Sequence, residues 1–128
     1  MPVRIVSSAD VPAQAMPGRT LQWLATPERL GSANLSVAIM DCPAGSIVRP
    51  LHAHRDTEEV LLVLEGEGEA WVDGDTAPFK KGDVVLFPAN SKHMVRNTGS
   101  GPLIAAAIFA PPTTAESYVF YDEGEGGF

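Results

Sequence analysis

Gly45-Ser-Ile-Val-Arg-Pro-Leu-His52-Ala-His54-Arg-Asp-Thr-Glu-Glu59-Val-Leu-Leu-Val-Leu-Glu-Gly66 carries two of the three histidines in this chain of 128 residues. A spacing of two sends both side chains off the same face of a strand. Their Cα atoms then lie about 6–7 Å apart, a separation from which two imidazoles converge on one ion. Glu59 follows five residues after His54, an odd offset that would put it on the opposite face of a continuous strand. The polar run Arg55 to Glu58 supplies a turn instead. Beyond it, Glu59 stands on a neighbouring strand with its carboxylate aimed back at the imidazoles. Val60 to Leu64 is an unbroken apolar run of strand length, compatible with a strand covered on both faces. Gly66 and Gly68 end or bend it.

Working outward, short apolar runs recur at close spacing on both sides. Downstream, Ala70 to Val72 resumes a strand, and Asp73-Gly74 is a strong two-residue hairpin signal. Lys81-Gly82 turns into a strand over Asp83 to Phe87, Pro88 to Ser91 turns again, and Lys92 to Asn97 returns with His93 near its start. Leu103 to Phe109 is the last long apolar strand. Pro111-Pro112 stops the pairing, since proline has no backbone N–H to donate. Thr113 to Tyr121 fits a helical turn or an edge strand equally. Upstream, Thr20 to Ala25 and Leu35 to Met40 alternate as strands, and Pro43 and Gly45 fit the second and fourth places of a type I turn. Pro12 and Pro17 interrupt the one candidate helix. Many short strands with regular turns point to an all-β sandwich or barrel, one domain over 1–128 with a mobile tail at 122–128.

Composition narrows the function classes. A formal net charge of −7 argues against nucleic-acid binding, which needs Lys and Arg to displace counterions from phosphates, and against anionic membrane surfaces. Cys42 is the only cysteine, so an intrachain disulfide and a thiolate zinc site are excluded. No apolar run approaches the roughly 20 residues that span a bilayer, and the N-terminus lacks a signal-peptide pattern. These features lead us to expect a soluble cytoplasmic protein.

One pair among three histidines falls two apart by chance in roughly one chain in twenty, so the spacing alone is weak. Two larger patterns add to it. The stretch from Gly45 to Gly66 resembles the first motif of the cupin superfamily: a glycine, then H-x-H, a glutamate, and a further glycine. The gap from Gly45 to His52 is one residue longer than usual. Gly82-Asp-Val-Val-Leu-Phe-Pro88-Ala-Asn90-Ser-Lys-His93-Met-Val-Arg-Asn97 resembles the second motif, with Asn90 where the family usually has glycine. Asparagine is the next-best residue for a left-handed turn position, so the departure is mild. The resemblance covers 45–97, with the motifs at 45–66 and 82–97, and is similar to small single-domain members.

The resemblance implies a double-stranded β-helix, the jelly-roll barrel, holding one divalent metal with His52, His54, Glu59 and His93. Three imidazoles and a carboxylate suit Fe, Mn, Ni, Zn, Co or Cu and disfavour calcium, which prefers oxygen ligands. Family members with these ligands include dioxygenases, isomerases, decarboxylases and lyases. The leading expectation is a metal-dependent oxidoreductase of dioxygenase type acting on a small molecule in the barrel. The alternatives are a non-catalytic metal or ligand-binding module, or an isomerase, decarboxylase or lyase. No fourth histidine is available for acid–base work, so Tyr118 or Tyr121 would have to serve.

Other residues stand as further candidates. Phe87, Val95 and Leu61 line the barrel, and Ala105 to Ala107 leave room for a ligand if one faces inward. Arg49 and Gln22 read first as solvated surface residues and second as partners for a substrate carboxylate at the mouth; Met40 and Cys42 are candidates to point inward, with a redox or ligand role for Cys42 as the lesser reading; and Asn97 satisfies backbone groups at a strand end. Val3 to Val6 has no obvious partner strand, which with the family habit implies a homodimer.

Overall fold

Eleven strands form two antiparallel sheets in the computed structural model, which describes residues 2–128. In chain order they are β1 (Gln14–Met16), β2 (Arg19–Ala25), β3 (Ser36–Cys42), β4 (His52–His54), β5 (Glu58–Glu65), β6 (Glu67–Val72), β7 (Asp75–Lys80), β8 (Val84–Phe87), β9 (His93–Asn97), β10 (Leu103–Ala110) and β11 (Tyr118–Phe120). The six-stranded sheet runs β1-β2-β3-β10-β5-β8 and the five-stranded sheet runs β11-β4-β9-β6-β7. The architecture is an all-β jelly-roll barrel. Helix is confined to one short turn, α1 (Pro27–Leu30), capped by the Thr26 side chain, and to brief 3₁₀ turns.

Alternation decides what each strand buries. On β10, Leu103, Ala105, Ala107 and Phe109 face the core while Ile104, Ala106 and Ile108 face outward, half-buried. On β3 the inward set is Ser36, Ala38, Met40 and Cys42. Phe87, Leu61 and Leu103 are the largest fully buried side chains, each contributing about 1.5–3 kcal/mol of burial. The small Ala105 and Ala107 belong to the same buried cluster, beside their bulkier cross-strand partners Val63 and Leu61.

Several local expectations change. The run Val60 to Leu64 is covered on one face only: Leu61 and Val63 are buried, whereas Leu62 and Leu64 are 36% and 42% exposed. The turn after β3 is shifted by one residue, closed by the Ser46 amide on the Pro43 carbonyl, with Gly45 third and at φ 73°. That positive φ belongs to the third place of a type II turn. The undecided segment Thr113 to Tyr121 is both things in succession, a 3₁₀ turn over Ala115–Ser117 and then edge strand β11. β1 and β7 had no counterpart in the alternation; β7 is an edge strand, where Pro78 is tolerated.

The C-terminal residues lie against the five-stranded sheet. Arg49 donates to Glu123 at 3.0 Å, and the Arg96 guanidinium sits 4.3 Å above the Phe128 ring. Val3 to Val6 joins no strand of its own chain, and Arg4 donates to the carbonyls of Leu30 and Gly31.

Candidate metal centre

Three imidazoles come from the five-stranded sheet and one carboxylate from the other. His52 on β4 is the direct cross-strand partner of His93 on β9, and His54 follows two residues along on the same inner face. Ring centroids are 4.4 Å apart for His52 and His93, and 5.1 Å for each ring with His54. One nitrogen from each ring lies within 4.8 Å of the other two. Glu59 crosses from β5 because Asp56, at φ 53°, reverses the chain after β4. The odd offset from His54 is thus resolved by a turn. Glu59 Oε1 stands 3.1 Å from His54 Nε2 and 3.3 Å from His93 Nε2. All four side chains are buried.

Backbone carbonyls set two of the tautomers. His52 Nδ1 donates to the Pro50 carbonyl at 2.8 Å and His93 Nδ1 to the Ser91 carbonyl at 3.0 Å. In the neutral ring the other nitrogen, Nε2, is then a lone pair turned into the site. His93 Nε2 has no hydrogen-bond partner although a carboxylate oxygen lies 3.3 Å away, since that contact lacks hydrogen-bond geometry. Two acceptors facing each other at this distance repel, and a cation between them removes the repulsion. Donor atoms that share one ion at about 2.1 Å and at right angles are about 3 Å apart, close to the distances Glu59 makes here. The residues therefore fit a divalent metal, by the orphaned nitrogen and by the chemistry of the donor set.

Titration behaviour agrees with that fit. Burial, followed by the neighbouring His93, pushes His52 down from 6.5 to about 3, so at neutral pH its lone pair is free. Burial alone would raise the Glu59 carboxyl. The His54 and His93 rings beside it outweigh that penalty and hold the group below the usual carboxylate range.

The surrounding wall is aromatic and carries one cation. Phe87 stacks on His93 at 4.3 Å between centroids, and Phe109 and Tyr118 meet His54 edge-on at 5.1 and 4.5 Å. Leu61, Val95 and Ala107 also line the space, which amounts to about 30 Å³, enough for an ion and a small ligand atom or water beside it. The cation is Arg19, only 6% exposed, whose guanidinium donates to the carbonyls of Pro17 and Arg49 at 3.0 and 2.9 Å. Burial lowers its pKa.

Arg19 takes the place that the sequence suggested for Arg49 and Gln22. Arg49 is turned to Glu123, and Gln22 donates to the carbonyls of Ser8 and Val11, so neither lines the histidine cavity. Counting back by twos from Leu21 places Arg19 on the inner face of β2, and that was the available signal. Cys42 does point inward, but into the apolar core, where burial pushes its thiol up to about 12. A thiol so protected is inert rather than a ligand or redox group. Tyr121 lies outside the cavity, its ring under Lys92. Asn97 is structural as expected: its amide donates to the Cys42 and Gly101 carbonyls and its oxygen accepts from the Gly99 amide.

Comparison with known proteins places this geometry in a family. Residues 38–109 match the Cupin domain. The auxin-binding protein ABP19b of Prunus persica is 38% identical over 84 residues, 62% of this chain and 40% of that protein. An uncharacterised protein of Methanocaldococcus jannaschii is 31% identical over 99 residues, covering 77% of this chain and 78% of its own length. Among solved structures, one described as a predicted oxalate decarboxylase from Thermotoga maritima superposes with a TM-score of 0.74 at 26% identity, over 84% of this chain and 98% of that one. The chain therefore spans less than half of the peach protein but most of the two microbial ones. With the motif match covering more than half of its residues, this chain belongs to the cupin family.

Proposed function

We propose that His52, His54, Glu59 and His93 hold one divalent transition metal, and that the chain uses it to oxidise a small carboxylate-bearing molecule with dioxygen. The observation that carries the metal is the orphaned, buried His93 Nε2 facing the Glu59 carboxylate at 3.3 Å. A bound ion of this class supplies Lewis acidity or, when iron, electrons for dioxygen. The chain's own residues do the rest. Pro50 and Ser91 orient two rings, Phe87, Phe109 and Leu61 exclude bulk water, and Arg19 gives a carboxylate a cationic neighbour.

Oxidation is favoured over isomerisation by the shortage of groups that move protons. Tyr118 is the one side chain near the rings suited to that work, and burial pushes its phenol up to about 12, away from the range of a working acid or base at neutral pH. The likeness to the Thermotoga structure favours decarboxylation as a second reading. Oxygen consumption and carbon dioxide release by the iron-loaded and manganese-loaded chain, measured over a panel of small carboxylates, decide between them. Oxygen uptake in stoichiometric proportion to substrate supports oxidation; carbon dioxide release with catalytic oxygen only supports the second reading. In the same preparations His54→Ala should bind metal more than about 100-fold more weakly while keeping its β-sheet circular dichroism.

We further propose a homodimer. Leu62 and Leu64 on β5, with Val84 and Leu86 on the adjoining edge strand β8, form an exposed apolar patch on the six-stranded sheet. Such a patch beside an unpaired strand edge supports self-association.

A further inference from the structure

Between the free edges of the two sheets lies a second cavity of about 340 Å³, bounded by β1 and β2, by α1 and by β11. Its size is that of a small-molecule site, whereas the histidine cavity has room for an ion and little else. Tyr118 is the one residue that lines both spaces. Its ring lies edge-on to His54 and stacks on Phe120 at 5.8 Å, and Trp23 meets Phe109 at 5.6 Å to complete the partition.

We propose that this outer cavity receives the apolar body of the substrate, an aromatic or branched-chain carboxylate, whose charged end reaches the histidine pocket past a displaced Tyr118. The inference rests on the metal reading of that pocket. The walls supply the apolar half of the argument: Met16, Trp23, Pro27, Pro112 and Phe120 offer broad carbon surfaces and no cation. Charge supplies the orientation. Glu28 stands at the outer cavity and repels a carboxylate, while Arg19 stands at the inner one and attracts it. The moving piece is short as well. β11 is three residues long and pairs only with β4, at the edge of its sheet. Moving its backbone aside breaks that three-residue ladder and the flanking bonds of the Ser117 carbonyl with the Arg55 amide and of the Tyr121 amide with the Leu51 carbonyl.

The test uses the cobalt-loaded full chain in a Trp71→Phe background, so that Trp23 is the only indole emitter, with acetate and phenylacetate as probes. Trp23 emission reports the outer cavity, and the visible cobalt band reports a carboxylate at the ion. Phenylacetate should change both signals and bind about tenfold or more tightly than acetate, which should change the cobalt band alone. Ala115→Phe, at an exposed position that lines the outer cavity, should abolish that preference and leave acetate binding unchanged. In Tyr118→Ala the cobalt response to phenylacetate should speed up at least about tenfold. Equal affinity for the two probes, a preference that survives Ala115→Phe, or an unchanged rate in Tyr118→Ala would overturn the proposal. A chain that takes up no cobalt, yet whose Trp23 responds to phenylacetate, overturns the metal reading and leaves the outer site standing.

Discussion

His52 titrates near 6.5 in an unfolded chain and near 3 in the fold. A group whose pKa falls on folding holds its proton more readily in the unfolded state. Its contribution to stability is complete above about pH 6.5 and is lost as pH falls toward 3, at about 1.4 kcal/mol per unit. Glu59, also depressed by folding, adds a loss of the same sign below the ordinary carboxylate range. The ion-free protein should therefore melt progressively lower between pH 6.5 and 4 than at pH 7.5. Calorimetry in the presence of a chelator checks this, and a flat melting temperature across that interval contradicts it. Period-two spacing is a hard constraint that set His52 and His54 on one face, whereas Glu59 and His93 were joined to them by the family resemblance. Arg19 was not legible, because its burial depends on carbonyls of Pro17 and Arg49, one of them 30 residues away.

Turns that need a particular backbone conformation were the most readable elements. Asp73-Gly74 joins β6 to β7 with both residues at positive φ, 46° and 102°, the mirror-image turn that matches strand twist. No atom lies within 4 Å of where a Gly74 Cβ would stand, so substitution there tests conformation alone. Gly74→Ala should lower stability by about 1–2 kcal/mol and the melting temperature by about 3–6 °C, read by thermal unfolding. Asn90, at φ 68°, fills the left-handed position where the family has glycine, and its side-chain oxygen accepts from the Asp56 amide across the turn that delivers Glu59. β11 was unreadable for the opposite reason. Its three residues carry no pattern of their own and become a strand only through pairing with β4, some 65 residues earlier in the chain.

The molecule as a whole leaves one sheet face with apolar side chains in solvent, and the proposed homodimer would pair through that face. Leu62→Lys combined with Leu86→Lys should convert a dimer into a monomer without loss of metal, as read by light scattering coupled to size exclusion. A monomeric parent protein would end that reading. The layered barrel was legible from alternation and turn spacing, whereas the outer cavity was not. It lies where two sheet edges fail to meet, which no local pattern encodes. No helix among the described residues is long and apolar enough to cross a membrane. The pairing of β11 with β4 has a kinetic corollary. The strand that bears two of the three imidazoles is shielded from solvent along its outer edge by a segment that donates no ligand. For the proposed ion, the time it stays, as distinct from how tightly it is held, should then follow how often Tyr118–Phe120 unzips from β4.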